Sequence, residues 1–74
     1  MILRNIYQRR IVRLLRDSGR PLTTKQISMF LNMHWSTVRK HLWSLNQKGY
    51  VFYRTYGNKI YWSTSKERMR NFLR

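Results

Sequence analysis

Two helix-length stretches joined by almost nothing constrain this chain more than any other feature. "TTKQISMFL" and "WSTVRKHLWSLNQK" both repeat apolar residues at helical spacing, with only Asn32, Met33 and His34 between them. Thr23 and Gln26 have capping-box spacing, so the first stretch should become a helix over 24–31, with Ile27, Phe30 and Leu31 buried. Asn32 tolerates left-handed backbone better than other non-glycine residues, which suits a tight turn. The second stretch predicts a helix over 35–48 that stops at Gly49. Stepping about 100° per residue sorts its faces. Val38, Leu42 and Leu45 converge on one side; Ser36, Arg39, Lys40, Trp43 and Gln47 converge on the other.

The flanks complete the plan. Leu3, Tyr7, Ile11, Leu14 and Leu15, with Ile6 beside them, predict a first helix over 3–18 that ends at Gly19. "RPLT" reads as extended, because proline and its neighbour leave helical space. "YVFYRTY" and "KIYWS" are aromatic and β-branched, separated by Gly57-Asn58, which supplies positive-φ residues for a hairpin. Thr64 and Glu67 repeat the capping-box spacing ahead of a helix over 65–73. The expected fold is one domain over 1–74, mainly α with a small antiparallel β-hairpin over 50–63.

Charge narrows the partner. Lys plus Arg number 16 against Asp17 and Glu67, a net +14, and eleven of the sixteen are arginine. Solubility needs only about 2–8 net charges on a small domain, and a larger excess repels itself. A polyanion is the simplest partner, nucleic acid before anionic membrane. The cations and apolar residues are spread over several elements, which disfavours a membrane surface. There is no cysteine, so disulfides and thiolate metal sites are excluded. Neither a secretion signal nor a bilayer-length apolar run is present, so a cytoplasmic setting is expected. Two carboxylates remote in sequence offer no acid–base pair, which disfavours an enzyme.

The two helices with their short turn form a helix-turn-helix, and the hairpin behind them is a wing. From Leu22 to Ser63 the chain resembles winged helix-turn-helix regulators of bacteria and archaea. The resemblance rests on "TTKQISMFLNMHWSTVRKHLWSLNQKGYV" and on the wing "RTYGNKIYW". It implies that the third helix enters the major groove of double-stranded DNA and that the wing touches the backbone or minor groove nearby. The family often carries glycine where Asn32 stands and serine where His34 stands, so the third helix is expected to lack its usual cap. Metal-sensing relatives use Cys and His clusters. Here His34 and His41 stand seven residues apart, about 10 Å along a helix, too far to clasp one ion.

The candidate DNA-binding residues follow. Trp35, Ser36, Thr37, Arg39 and Lys40 lie on the third helix; arginine forks onto guanine O6 and N7. Thr24 and Lys25 open the second helix, where free amides favour phosphate. Arg54, Asn58 and Lys59 flank the wing tip. Arginines of the first helix are expected to hold the backbone as well. Trp43 is expected to pack on Tyr61 or Trp62. Met69, Phe72 and Leu73 form a stripe on a helix too short to persist alone, and they are dimer-interface candidates. The expected role is sequence-specific transcriptional regulation, most simply repression, by a homodimer with no cofactor and no small-molecule effector. Two alternatives stay open: a sequence-blind architectural DNA- or RNA-binding protein, and a winged-helix protein-interaction module.

Overall fold

The computed structural model describes residues 4–72. Helix α1 spans Ile6–Ser18, strand β1 Leu22–Thr23, helix α2 Thr24–Leu31 and helix α3 Trp35–Gln47. Strands β2, Phe52–Tyr56, and β3, Lys59–Ser63, form the hairpin, and helix α4 covers Lys66–Phe72. The expected architecture of helices with a hairpin wing is present, with one addition. The "RPLT" piece does not merely run extended; β1 pairs antiparallel with β3, Leu22 opposite Trp62 and Thr23 opposite Tyr61. The sheet order is therefore β1-β3-β2.

α1 starts later and faces differently than its apolar residues predict. Asn5 caps it, its side-chain oxygen accepting from the amides of Tyr7 and Gln8. Leu3 lies outside the described residues. The buried face is Gln8, Ile11, Val12 and Leu15, while Tyr7 remains 48% exposed. A glutamine can take a core position when its amide is satisfied. Lys48 Nζ donates to Gln8 Oε1 at 3.1 Å, Gln8 Nε2 donates to Ser44 Oγ at 3.3 Å, and His41 Nδ1 lies 3.3 Å away. Tyr7 is displaced to the rim, where its ring stacks on His41 at 5.9 Å.

α2 opens with the expected capping box, Thr23 Oγ1 accepting from the Gln26 amide and Gln26 Oε1 from the Thr23 amide. Its buried face is Ile27 and Ser28, with Leu31 half-buried; Phe30 is 65% exposed, against expectation. Ser28 can replace it inside because its hydroxyl donates to the Lys25 carbonyl at 2.7 Å. The turn after α2 works as Asn32 suggests, with φ 52° and ψ 48°. Asn32 N–H bonds Met29 O and Met33 N–H bonds Ser28 O, the two bonds of a Schellman close. α3 ends the same way, with Gly49 at φ 86° and bonds from Gly49 to Asn46 and from Tyr50 to Leu45.

α3 buries Val38, Leu42 and Leu45 as its face analysis requires. They join Ile11, Val12, Leu15, Leu22, Ile27, Val51 and Trp62 in one core. Trp62 is wholly buried, and its Nε1 donates to Thr24 Oγ1 at 3.0 Å. Trp43 meets Trp62 edge-on at 5.0 Å and Tyr53 at 4.9 Å. Tyr61, the other expected partner, packs near Phe72 at 5.7 Å. In the hairpin turn only Gly57 has positive φ, 63°; Asn58 does not, as expected for a turn with glycine at its first central position. α4 is capped by Ser65 rather than Thr64, since Ser65 Oγ accepts from the Arg68 amide at 3.2 Å.

Candidate nucleic-acid interface

Three elements that are distant in sequence enclose one open groove. The first turn of α2 contributes Thr23, Thr24, Lys25 and Gln26, with Met29 one turn on. α3 contributes Trp35 and Arg39, and the wing contributes Lys59, Ile60 and Tyr61. Five of the sequence candidates therefore meet at one place: Thr24, Lys25, Trp35, Arg39 and Lys59. The arrangement follows from the fold. The αL turn at Asn32 brings the start of α3 back beside the start of α2, and β1–β3 pairing draws the wing against both.

The groove is cationic at its rim and apolar inside. Lys25, Arg39 and Lys59 are exposed, as they must be to meet an anion. Between them lie Met29, Ile60, Tyr61 and Trp35, and the indole is 52% exposed. The Arg39 guanidinium carbon sits 6.0 Å from the Trp35 ring centroid, at the outer limit of a cation–π contact. The indole thus limits where the guanidinium can swing. Thr24 has a second task, because its hydroxyl already accepts from Trp62 and ties the α2 N-terminus to the wing.

The remaining candidates lie elsewhere. Thr37 and Lys40 are exposed on α3 but do not line this groove. Ser36 is half-buried, its Oγ 2.7 Å from His34 Nδ1. That imidazole nitrogen also accepts from the Ser36 amide at 3.3 Å. α3 does have a cap, then, supplied by histidine where serine is usual. Asn58 is exposed in the tip turn. Arg54 lines a separate concavity with Phe52, Lys66, Met69 and Arg70, because strand pairing puts it on the α4 side of the sheet. Sequence reasoning missed Met29, Ile60 and Tyr61. Helical period could have placed Met29 off the core face, but nothing local could place Ile60 beside it.

No arginine of α1 lines the groove. One further expectation changes here. Met69, expected to face a partner, is 4% exposed and buried in its own chain between α4 and the sheet. A short helix needs that burial to form at all. Phe72 keeps 46% exposure, and Leu73 lies outside the described residues.

Residues 1–58 match a family described as iron dependent repressor, N-terminal DNA binding domain. The chain belongs to this family of DNA-binding domains. An uncharacterized HTH-type transcriptional regulator of Methanocaldococcus jannaschii is 33% identical over 60 residues. That match covers 81% of this chain but only 15% of the relative's length. Among solved structures, the Zalpha domain of PKZ from Carassius auratus, in complex with Z-DNA, superposes with a TM-score of 0.68. It is 27% identical, and the match covers 76% of this chain and 87% of that one. Iron, which the family description names, finds no fitting donor set. Among the described residues no three His, Cys, Asp or Glu side chains group together. Nor is any helix among them long and apolar enough to cross a membrane.

Proposed function

We propose that this chain binds double-stranded DNA in the groove between α2, α3 and the wing, and that it regulates transcription as a repressor. The observation that carries the reading is the convergence of Lys25, Arg39 and Lys59 on one groove beside the start of α3. Lys25 and Lys59 would hold the two rims on phosphate, which positions a protein without reading sequence. Arg39, steadied by Trp35, would fork onto a guanine edge, and Lys40 would meet the backbone. Occupying a promoter is enough to repress, and it needs no chemistry from the protein. Dimerisation belongs to the same proposal, because a two-fold protein matches palindromic half-sites about 34 Å apart. The exposed Phe72 ring supports a contact between copies at α4. A DNA partner of this kind would place the protein in the cytoplasm.

Selection of bound sequences from a random duplex pool tests the proposal. A regulator should prefer its own site over random duplex by a factor of about 10³ or more. Equal affinity for every duplex would assign the chain to architectural binding instead. A second reading, recognition of left-handed duplex, is favoured by the likeness to a domain solved on Z-DNA. It predicts that the protein inverts the circular dichroism of an alternating CG duplex at low salt. An unchanged spectrum at saturation would dismiss it.

A further inference from the structure

The groove leaves much of the charge without a task. Six arginines precede Lys25 in the sequence: Arg4, Arg9, Arg10, Arg13, Arg16 and Arg20. No lysine is among them, whereas the ten later cations divide evenly between Lys and Arg. A face that only kept the protein soluble could use either residue. Arginine alone presents a planar fork matched to phosphate.

The structure sorts these arginines further. Arg10 leans to one flank of α1, where its Nη2 donates to the Leu31 carbonyl of α2 at 3.3 Å. At about 100° per residue, Arg9, Arg13 and Arg16 fall within about 60° of one another, on the other flank. None of the three lines the groove. All three are exposed and line a shallow concavity with Ile6, Val12 and Asp17, and Arg10 reaches its edge from the other side. Among the described residues, the guanidinium groups of Arg9 and Arg16 have no hydrogen-bond or ion-pair partner. Arg13 has only Asp17, at 3.9 Å with both side chains largely in solvent, which is a weak pair. Arg68 adds a further cation at this end of α1 by donating to the Arg16 carbonyl at 2.9 Å. Like charges at three- and four-residue spacing weaken a helix, so this row costs α1 stability, offset among the described residues only by the weak Arg13–Asp17 pair.

We infer that the Arg9–Arg13–Arg16 row is a second DNA-binding surface, which grips the phosphate backbone of a different duplex segment from the one in the groove. The inference rests on the proposed DNA-binding role of the groove. The dimensions fit. The row runs for about 10 Å along the helix. Each strand carries a phosphate about every 3.4 Å of duplex axis, so a row lying along that axis spans about three of them. The groove and the concavity that holds the row share no lining residue. The molecule measures 34 × 26 × 20 Å. DNA with a persistence length of about 150 bp does not fold back around a body that small. One protein molecule therefore holds two segments, and the chain bridges DNA as well as binding it.

The test uses two unrelated random-sequence duplexes, one biotinylated and held on beads, the other fluorescent. Wild-type protein should carry the fluorescent duplex onto the beads at low salt. The variant Arg9→Gln/Arg13→Gln/Arg16→Gln should bind a single duplex nearly as before, melt no earlier, and recover about tenfold less of the second duplex, as loss of about three phosphate contacts implies. Arg39→Ala/Lys59→Ala should lose single-duplex affinity and bridging together. If the wild type binds one duplex but never bridges, the inference fails while the groove reading stands. Undiminished bridging by the triple glutamine variant would also overturn it, by assigning the bridge to paired copies. Capture of phosphatidylserine vesicles by wild type but not by that variant, without bridging, would assign the row to a membrane and overturn it too. If no duplex binds at all, the groove reading itself falls.

Discussion

Leu42 and Arg39 sit three residues apart on one helix and answer to different forces. Leu42 is wholly buried among the residues that join α3 to the rest of the core. Leu42→Ala should lower stability by about 2–5 kcal/mol, the sum of lost transfer energy and a cavity. Arg39 is exposed in the groove, so Arg39→Ala should change stability by less than about 0.5 kcal/mol. It should instead cost about 1–3 kcal/mol of DNA affinity and relax preference at one base position. Melting temperatures set beside titrations of matched and mismatched duplexes separate the two. Early melting of Arg39→Ala with normal binding per folded molecule would show that this face of α3 is structural. Thr24 tests the tie between helix and wing. Thr24→Val removes the acceptor for the buried Trp62 Nε1 and should destabilise by about 1–3 kcal/mol, the usual cost of a stranded buried donor. A melting curve that matches wild type would mean that the indole finds another partner.

At the scale of elements, the turn between α2 and α3 decides whether a groove exists. It depends on one residue held at φ 52°. Asparagine tolerates that conformation because its short polar side chain can hydrogen-bond the local backbone; alanine keeps the Cβ crowding without that relief, at up to about 1–2 kcal/mol. Asn32→Ala should lower stability by that amount, a fall of about 4–16 °C in melting temperature, and Asn32→Gly should not. If both variants melt together, left-handed strain is not what the asparagine relieves. The three-residue link from α2 to α3 made this hinge legible, and the capping box at Thr23 made the start of α2 legible. The actual caps of α3 and α4 were not. His34 caps by a ring nitrogen, which sequence patterns do not weigh, and Ser65 displaces Thr64 because the last helix begins one residue later than its spacing suggests.

For the molecule as a whole, +14 on 74 residues predicts a strongly electrostatic association. Contact with about 5–8 phosphates gives a slope of log affinity on log salt of roughly −4 to −7. Fluorescence titrations across a salt series measure it, and a slope near zero would remove nucleic acid as the partner. Dimerisation is a separate matter. With Met69 buried in its own chain, α4 offers mainly Phe72 to a second copy, and Phe72→Ala should weaken self-association more than folding. Sedimentation of both proteins at tens of micromolar checks this, since association in that range corresponds to about 6–7 kcal/mol. A wild type that sediments as a monomer would leave Phe72 as a cover for Tyr61 alone.

Local rules account for what was readable in the chain by itself. Helical period, Gly19, Gly49, Asn32 and the two aromatic runs are short-range signals, and together they specify the order of elements, the α3 core face and the existence of a wing. The cationic character of the surface is also a property of composition alone. Decisions between distant segments belong to the tertiary structure. Whether Gln8 or Tyr7 faces inward depends on Lys48 and Ser44, which lie far along the chain. The partner of β1 is β3, about 40 residues away, and only that pairing brings Lys59 and Ile60 to Lys25 and Trp35. The same packing leaves the arginines of α1 outside the lining of that groove. Their charge follows from the sequence, but their direction depends on which face of α1 the core buries.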